Sequence, residues 1–399
     1  MTVDRSPWPT VPIKEVYHGL FDGPHATPPV ADDGPVFLGI GNVTDDGHLD
    51  LSSIRHIAEA DFAKWTKRVT PQPGDLVFTY EATLNRYAMI PEGFRGCLGR
   101  RMALIRPDPQ RVEPRFLFYY FFGHGWRETV AANILSGATV DRIPLTSFPD
   151  FPISLPPLYT QQRIAAILSA YDDLIETNTR RIAILEEMAR RLYEEWFVHF
   201  RFPGHEETEF DGDLPSGWSE VPLGTVANIT WGDTKTTKKS YVDAGFVAYS
   251  AAGPDGFLPH FDYDRTGIVL SAIGANCGLT WFARGKWSCI KNTIRLFSND
   301  QAVSDEYLFL TTGFSDYWPK RGAAQPFISQ GDAKQCKVVV PPETLHERFL
   351  AVACPALKQA DHLRLANANL RAQRDLVLPK LVSGEIDVSR AEAALEAAE

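Results

Sequence analysis

Ile153-Ser154-Leu155-Pro156-Pro157 opens a long helical run, and about 185 residues later Val338-Val339-Val340-Pro341-Pro342 opens another. Ahead of each proline pair the same order of signals recurs. Gly137-Ala138-Thr139-Val140 answers to Gly322-Ala323-Ala324-Gln325-Pro326-Phe327-Ile328, and Arg115-Phe116-Leu117-Phe118 to Glu306-Tyr307-Leu308-Phe309. Further ahead, Gly74-Asp75-Leu76-Val77-Phe78 answers to Thr266-Gly267-Ile268-Val269-Leu270. The chain is built twice. Two heads that differ in detail, each followed by a similar helix, suit a device that reads two different things a fixed distance apart.

The fold class expected is α/β (α+β): two mixed heads in pseudo-twofold arrangement, separated by two long helices that form an antiparallel coiled coil. The first head covers residues 1–157, its helix 158–200, a linker 201–217, the second head 218–342, its helix 343–382 and a tail 383–399. Short β-branched and aromatic runs bounded by Gly, Pro and Asp predict strands at Pro35 to Gly41, Asp75 to Tyr80, Phe246 to Ser250 and Ile268 to Ile273. Pro114 to Phe122 is apolar on every face and predicts a buried helix. A second helix is expected near Glu306 to Thr312.

Ile164, Leu168, Tyr171, Ile175, Asn178, Ile182, Leu185, Ala189, Leu192 and Trp196 alternate by four and three, the seam of a coiled coil roughly 50 Å long. The second seam, Phe349, Ala353, Ala356, Ala360, Leu363, Asn367, Leu370, Arg374, Val377 and Leu381, is smaller and more polar. Pro379 is expected to end or kink it. Alone it would be a poor coil former, so pairing with the first helix is expected. In an antiparallel register Asn178 falls opposite Asn367. They are either a buried pair that fixes register or two unrelated, partly exposed asparagines.

A length of 399 residues predicts two to three domains. The five cysteines are odd in number and scattered without metal-ligand spacing, which fits reduced thiols. No apolar run reaches the roughly 18 residues of a membrane span, and the start lacks the pattern of a signal peptide. The expected address is the bacterial cytoplasm. A net charge of −10 argues against a solitary nucleic-acid binder, although residues 215–340 hold 12 Lys+Arg against 11 Asp+Glu. Catalytic signatures are missing. Gly285-Lys286 is followed by Trp287, which rules out a phosphate-binding P-loop, and the proline pairs lack the Asn/Asp-Pro-Pro-aromatic pattern of amino-methyltransferases.

Leu155-Pro156-Pro157-Leu158-Tyr159-Thr160-Gln161-Gln162-Arg163-Ile164-Ala165 opens the first helix, Asp172-Asp173-Leu174-Ile175 continues it and Trp196-Phe197-Val198-His199-Phe200-Arg201-Phe202 closes it. Leu214-Pro215-Ser216-Gly217-Trp218 and Leu378-Pro379-Lys380-Leu381-Val382-Ser383-Gly384-Glu385-Ile386 follow. Together these resemble the specificity (S) subunit of bacterial type I restriction–modification systems, across nearly the whole chain. Leu345-His346-Glu347-Arg348-Phe349 departs from the Gln-Gln-Arg-Ile pattern of the first helix. The resemblance implies a DNA recognition subunit without catalysis of its own, whose two target-recognition domains each read half of a split sequence. It also implies helices that dock two methyltransferase subunits, with restriction/translocase subunits joining. S-adenosylmethionine, ATP and Mg would sit on those partners. Two alternatives stay open: a methylation-only or type IIB-like specificity subunit, and a coiled-coil scaffold or adaptor without DNA readout.

Base readout needs paired donors or acceptors, Arg or Lys for guanine and Asn or Gln for adenine. Thr79, Tyr80, Glu81, Thr83, Asn85 and Arg86 crowd one loop of the first head, with Asn276 in its counterpart. The same loop also reads as an ordinary polar hairpin. Thr234, Lys235, Lys238, Lys239, Lys320 and Arg321, and less strongly Arg100 and Arg101, suit either phosphate clamping or a solvated basic surface. Thr139 and Gln325 precede the last strand of each head and either face DNA or turn the chain. On the helices, Ile167, Leu174, Ile184 and Met188 lie outside the seam and would widen it into a stripe for partner docking.

Overall fold

The computed structural model describes residues 8–136, 140–299, 303–314 and 316–388. The chain divides into two units: residues up to Thr177 together with those from Ala366 on, and Asn178–Leu365. Both long helices are cut by this division, so each unit is a head plus a piece of each helix.

In the first unit, strands β1 (Thr10–Pro12), β2 (Tyr17–Asp22), β3 (Ala31–Leu38) and β4 (Arg55–His56) precede a single turn, α1 (Phe62–Trp65). Strands β5 (Leu76–Thr79), β6 (Tyr87–Met89), β7 (Gly96–Leu98) and β8 (Met102–Pro107) follow, then helices α2 (Pro114–Tyr120) and α3 (His124–Asn133). The short strands β9 (Leu135–Ser136), β10 (Asp141–Arg142) and β11 (Pro152–Ser154) complete the head. One antiparallel sheet has the order β2-β8-β5-β6, and a second, β4-β3-β7, pairs β3 and β7 in parallel. Leu76–Thr79 and Met102–Ile105 are buried throughout, as expected of central strands covered on both faces. Pro114 at the first position of α2 has no amide hydrogen to lose there. Inside, the Trp126 indole N–H donates to the Tyr87 hydroxyl at 2.9 Å, so neither buried polar group lacks a partner.

The helix α4 (Leu158–Tyr193) passes into a π turn at Glu194–Val198. The interval 201–217 is more than a surface crossing. It holds the hairpin β12 (Phe210–Asp211) and β13 (Leu214–Pro215), and the Phe202 ring is buried 5.2 Å from Trp218.

The second unit repeats the plan. Its strands are β14 (Ser219–Pro222), β15 (Ala227–Trp231), β16 (Phe246–Ser250), β17 (Gly253–Leu258), β18 (Tyr263–Asp264), β19 (Gly267–Ser271), β20 (Thr280–Ala283), β21 (Lys286–Cys289), β22 (Thr293–Ser298) and β23 (Lys337–Val340). A turn α5 (Leu223–Val226) and helices α6 (Asp305–Thr312) and α7 (Gln330–Gln335) lie among them. The order β15-β22-β19-β20 matches β2-β8-β5-β6, the parallel pair β16–β21 matches β3–β7, and β14–β23 matches β1–β11.

Helix α8 spans Glu343–Ser383 and runs through both Pro355 and Pro379. The expected stop at Pro379 is therefore corrected. Losing one helical hydrogen bond there is offset by Leu378, Leu381 and Val382, which enter the first core and hold the last turn in place. Within each unit the two helix pieces run antiparallel. In the first, Ile164 and Leu168 share a core with Leu378 and Leu381, and the Asn367 amide donates to the Ile175 carbonyl at 3.1 Å. In the second, Tyr193 packs on Phe349 and Arg364 pairs with Glu186. Ile175, Asn178, Leu363 and Asn367 are buried, while Tyr171, Ile182, Leu185, Leu192, Trp196, Leu370 and Val377 are half-buried. The partly exposed reading of the two asparagines is thereby corrected. No helix among the described residues is long and apolar enough to cross a membrane.

Candidate nucleic-acid interface

The two heads share a backbone frame bond for bond. In the first, Tyr80 N–H donates to Arg101 O at 3.1 Å, Ile143 N–H to Tyr80 O at 2.8 Å and Ala82 N–H to Asp141 O at 3.0 Å. In the second, Ala272 N–H donates to Asn292 O at 3.0 Å, Ile328 N–H to Ala272 O at 2.9 Å and Gly274 N–H to Pro326 O at 3.0 Å. The parallel strands are locked equally, by Gly99 N–H to Leu38 O and by Ile290 N–H to Tyr249 O. Equivalent residues follow directly: Tyr80 with Ala272, Glu81 with Ile273, Arg100 with Lys291 and Arg101 with Asn292. Two glycines allow the close approach below this frame. A Cβ on Gly23 would sit 2.1 Å from Gly99 O, and one on Gly232 would sit 2.7 Å from Ile290 O.

Beside the frame each head has an open depression. In the first, of about 580 Å³, Gly39–Asn42, Asp50 and Ser53–Arg55 face the turn Arg100–Arg101. In the second, of about 530 Å³, Ser250–Ala252 and Asn276 face Lys291–Asn292, with Thr237, Lys238 and Lys239 along one side. The second residue of each turn is left-handed, with φ of 66° at Arg101 and 72° at Asn292. The depressions thus present cations and amides on turns whose ends are tied by backbone bonds.

The expected site residues divide unevenly. Thr79 and Tyr80 are buried, which removes them as readers of a base edge, and burial pushes the Tyr80 phenol above its ordinary pKa. Arg86 is held in an ion pair with Asp45, and its guanidinium also donates to Val43 O. Asn85 accepts from the Tyr87 hydroxyl, and Thr83 is half-buried. Glu81 lies 3.0 Å from Arg101 Nε and steadies that guanidinium. Arg100 is exposed and forms no ion pair among the described residues.

In the second head Lys238 pairs with Asp255. Burial opposes ionisation of that carboxyl, yet Lys238, Ser250 and Tyr241 together hold its pKa below the ordinary value. Arg321 pairs with Asp332, and Thr234 and Lys235 ride on a turn that Asp233 caps. Lys320 and Gln325 are exposed outside the depression. Asn276 lines it, and its amide donates to Ala251 O at 3.1 Å. Lys239 and Lys291 are exposed without an ion pair among the described residues. Thr139 lies outside the described residues. The sequence reading missed Lys291, Asn292, Asn42 and Arg55. Aligning Gly99-Arg100-Arg101 with Ile290-Lys291-Asn292 would have found the first two.

The chain is similar to known proteins. Residues 36–187 match the model of the type I restriction modification DNA specificity domain. The chain is 22% identical to the type I restriction enzyme MjaIX specificity subunit of Methanocaldococcus jannaschii over 363 residues, 84% of this chain and 82% of that protein. It is also 22% identical to the HindI specificity subunit of Haemophilus influenzae, over 88% of this chain and 94% of the relative. The crystal structure of an S subunit from M. genitalium covers 96% of this chain and 97% of its own, with a TM-score of 0.60 at 16% identity, which shows a shared fold. Residues 36–187 thus match the type I restriction modification DNA specificity domain, and the chain is similar along most of its length to the specificity subunits of type I restriction enzymes.

Proposed function

We propose that this chain is the DNA sequence-recognition subunit of a type I restriction–modification complex, reading a bipartite, asymmetric target while its partners carry out the chemistry. The observation that carries this reading is the depression built twice on one backbone frame with different side chains, Arg100–Arg101 in one head and Lys291–Asn292 in the other. A shared frame with unlike donors suits two unlike stretches of duplex. Lys239, Lys291 and Arg55 would contact phosphates, positioning the heads without reading sequence. With a net charge of −10, the chain gains the rest of its phosphate contacts from basic partners.

Those partners are two methyltransferase subunits that bind S-adenosylmethionine and flip an adenine out of the stack. Ile167 and Leu174 in the first unit, and Ile184 and Met188 in the second, are exposed on the helices and form their docking stripe. Restriction/translocase subunits, with ATP and Mg, join for cleavage. A methylation-only complex would use the chain unchanged. The place of work is the bacterial cytoplasm, on DNA.

The test is methylation sequencing of DNA from cells that express the chain with its methyltransferase. A split, asymmetric adenine motif that Ile184→Asp with Met188→Asp abolishes supports both readout and docking. A soluble complex that leaves no motif points to an adaptor instead.

A further inference from the structure

We propose that the two turns Arg100–Arg101 and Lys291–Asn292 are the specificity-determining elements of their heads, with Arg100 selecting guanine and Asn292 selecting adenine. The inference rests on the DNA-recognition reading above and adds which side chains read and what they read.

Three observations converge on these turns. First, backbone bonds hold them at both ends. Gly99 and Ile290 donate to Leu38 and Tyr249, and Arg101 and Asn292 accept from Tyr80 and Ala272, so the Arg100, Lys291 and Asn292 side chains do not anchor the turns. Second, both turns carry a left-handed residue that is not glycine. Asn tolerates that conformation, but Arg adopts it only at a cost, so the turn itself does not explain Arg101. Third, each turn lines an open depression, and the equivalent positions Arg100–Arg101 and Lys291–Asn292 place basic or amide side chains in both.

The difference between the heads assigns the readers. In the first, Glu81 forms an ion pair with Arg101 at 3.0 Å, leaving exposed Arg100 as the fork of donors without an ion pair among the described residues. A guanidinium meets the O6 and N7 acceptors of guanine with two parallel bonds. In the second, Ile273 takes the place of Glu81 and offers nothing to Asn292, whose amide makes no hydrogen bond among the described residues. A carboxamide matches N6 and N7 of adenine. Lys291, a point charge on a flexible stem, suits the adjoining phosphate.

Asn292→Gly separates the two roles, because glycine keeps the left-handed backbone and removes only the amide. The variant and Arg100→Ala are each expressed with the methyltransferase, checked for co-purification and read by methylation sequencing. In the Asn292→Gly complex one adenine position in one half of the motif is expected to lose its preference by about tenfold or more, with the other half unchanged. In the Arg100→Ala complex a guanine position in the other half should do the same. An unchanged motif in both variants overturns the proposal. So does a uniform loss of methylation at every site, which would make the turns phosphate anchors. A wild-type complex without any motif would remove the DNA reading itself, a separate failure visible before either variant is made.

Discussion

Arg374 Nη1 lies 2.6 Å from Asp172 Oδ1, and the arginine side chain is only 12% exposed. The other carboxylate oxygen accepts from the Tyr119 hydroxyl at 2.6 Å, so this network joins α2, α4 and α8 within the first unit. Burial and the adjacent carboxylate raise the Tyr119 pKa and keep the phenol a donor. Arg374→Ala would leave the half-buried Asp172 side chain without this cationic partner. The expected cost is about 2 kcal/mol, read as a lower urea midpoint with little change in slope.

His346 gives the second unit a pH dependence. Its Nε2 accepts from Ser304 N–H at 3.4 Å, and its ring meets the Tyr307 ring at 5.3 Å. Burial lowers its pKa below 6.5, so the unfolded chain takes up a proton before the folded one does. The stability it contributes is complete above about pH 6.5 and is lost as pH falls through the lower folded value. Thermal unfolding from pH 8 to 5 should therefore show wild type losing stability relative to His346→Gln over the acidic part of that range. Parallel curves would mean that the imidazole does not titrate on unfolding.

Ala82 has a φ of 69° at the place where the second head has Gly274 at 102°. Its exposed Cβ contributes nothing to packing but makes the left-handed backbone costly. Ala82→Gly should stabilise the chain by about 0.5–1 kcal/mol after allowing for the extra freedom of glycine when unfolded. A drop in melting temperature would contradict this account.

Lys291 offers a test by salt. For the assembled complex on its target, log affinity should fall with log salt, and Lys291→Ala should reduce that slope by about one while weakening all sequences alike. A change of preferred sequence at constant slope would place Lys291 among the base readers.

Asn367 is buried, with its amide on the Ile175 carbonyl. Replacing a polar seam residue by leucine adds apolar burial and removes a register constraint. Asn367→Leu should raise the melting temperature and broaden the distribution of assembly states seen by light scattering after size exclusion. One sharp species would show that register is set elsewhere.

The repeat, the strands and the helix seams were legible because they rest on periodicity and on proline and glycine, which act locally. The fate of individual polar residues was not. Thr79 and Tyr80 end an apolar strand and also stand first among the polar groups that suggest base readout, but the bond from Tyr80 N–H to Arg101 O continues the sheet and buries both. Arg86 was read as a DNA contact, yet Asp45, distant in sequence, takes it. Lys291–Asn292 carry no signal of their own in the sequence, because two ordinary polar residues after a strand gain meaning only from their structural match with Arg100–Arg101. Pro379 misled for a related reason. Helix propensity is local, whereas the packing of Leu378 and Leu381 that overrides it is not.

Leu378, Leu381, Val382 and Val388 share one core with Ile13 and Val16 from the opposite end of the chain. That sharing fixes an order in time. Chains are made at about 5–20 residues per second, so the first head emerges on the order of ten to forty seconds before the segment that finishes it. Throughout that interval a growing polypeptide carries an apolar seam with no covering. The part of the protein written first is completed last, and a ribosome that stalls within the second head leaves the first one open.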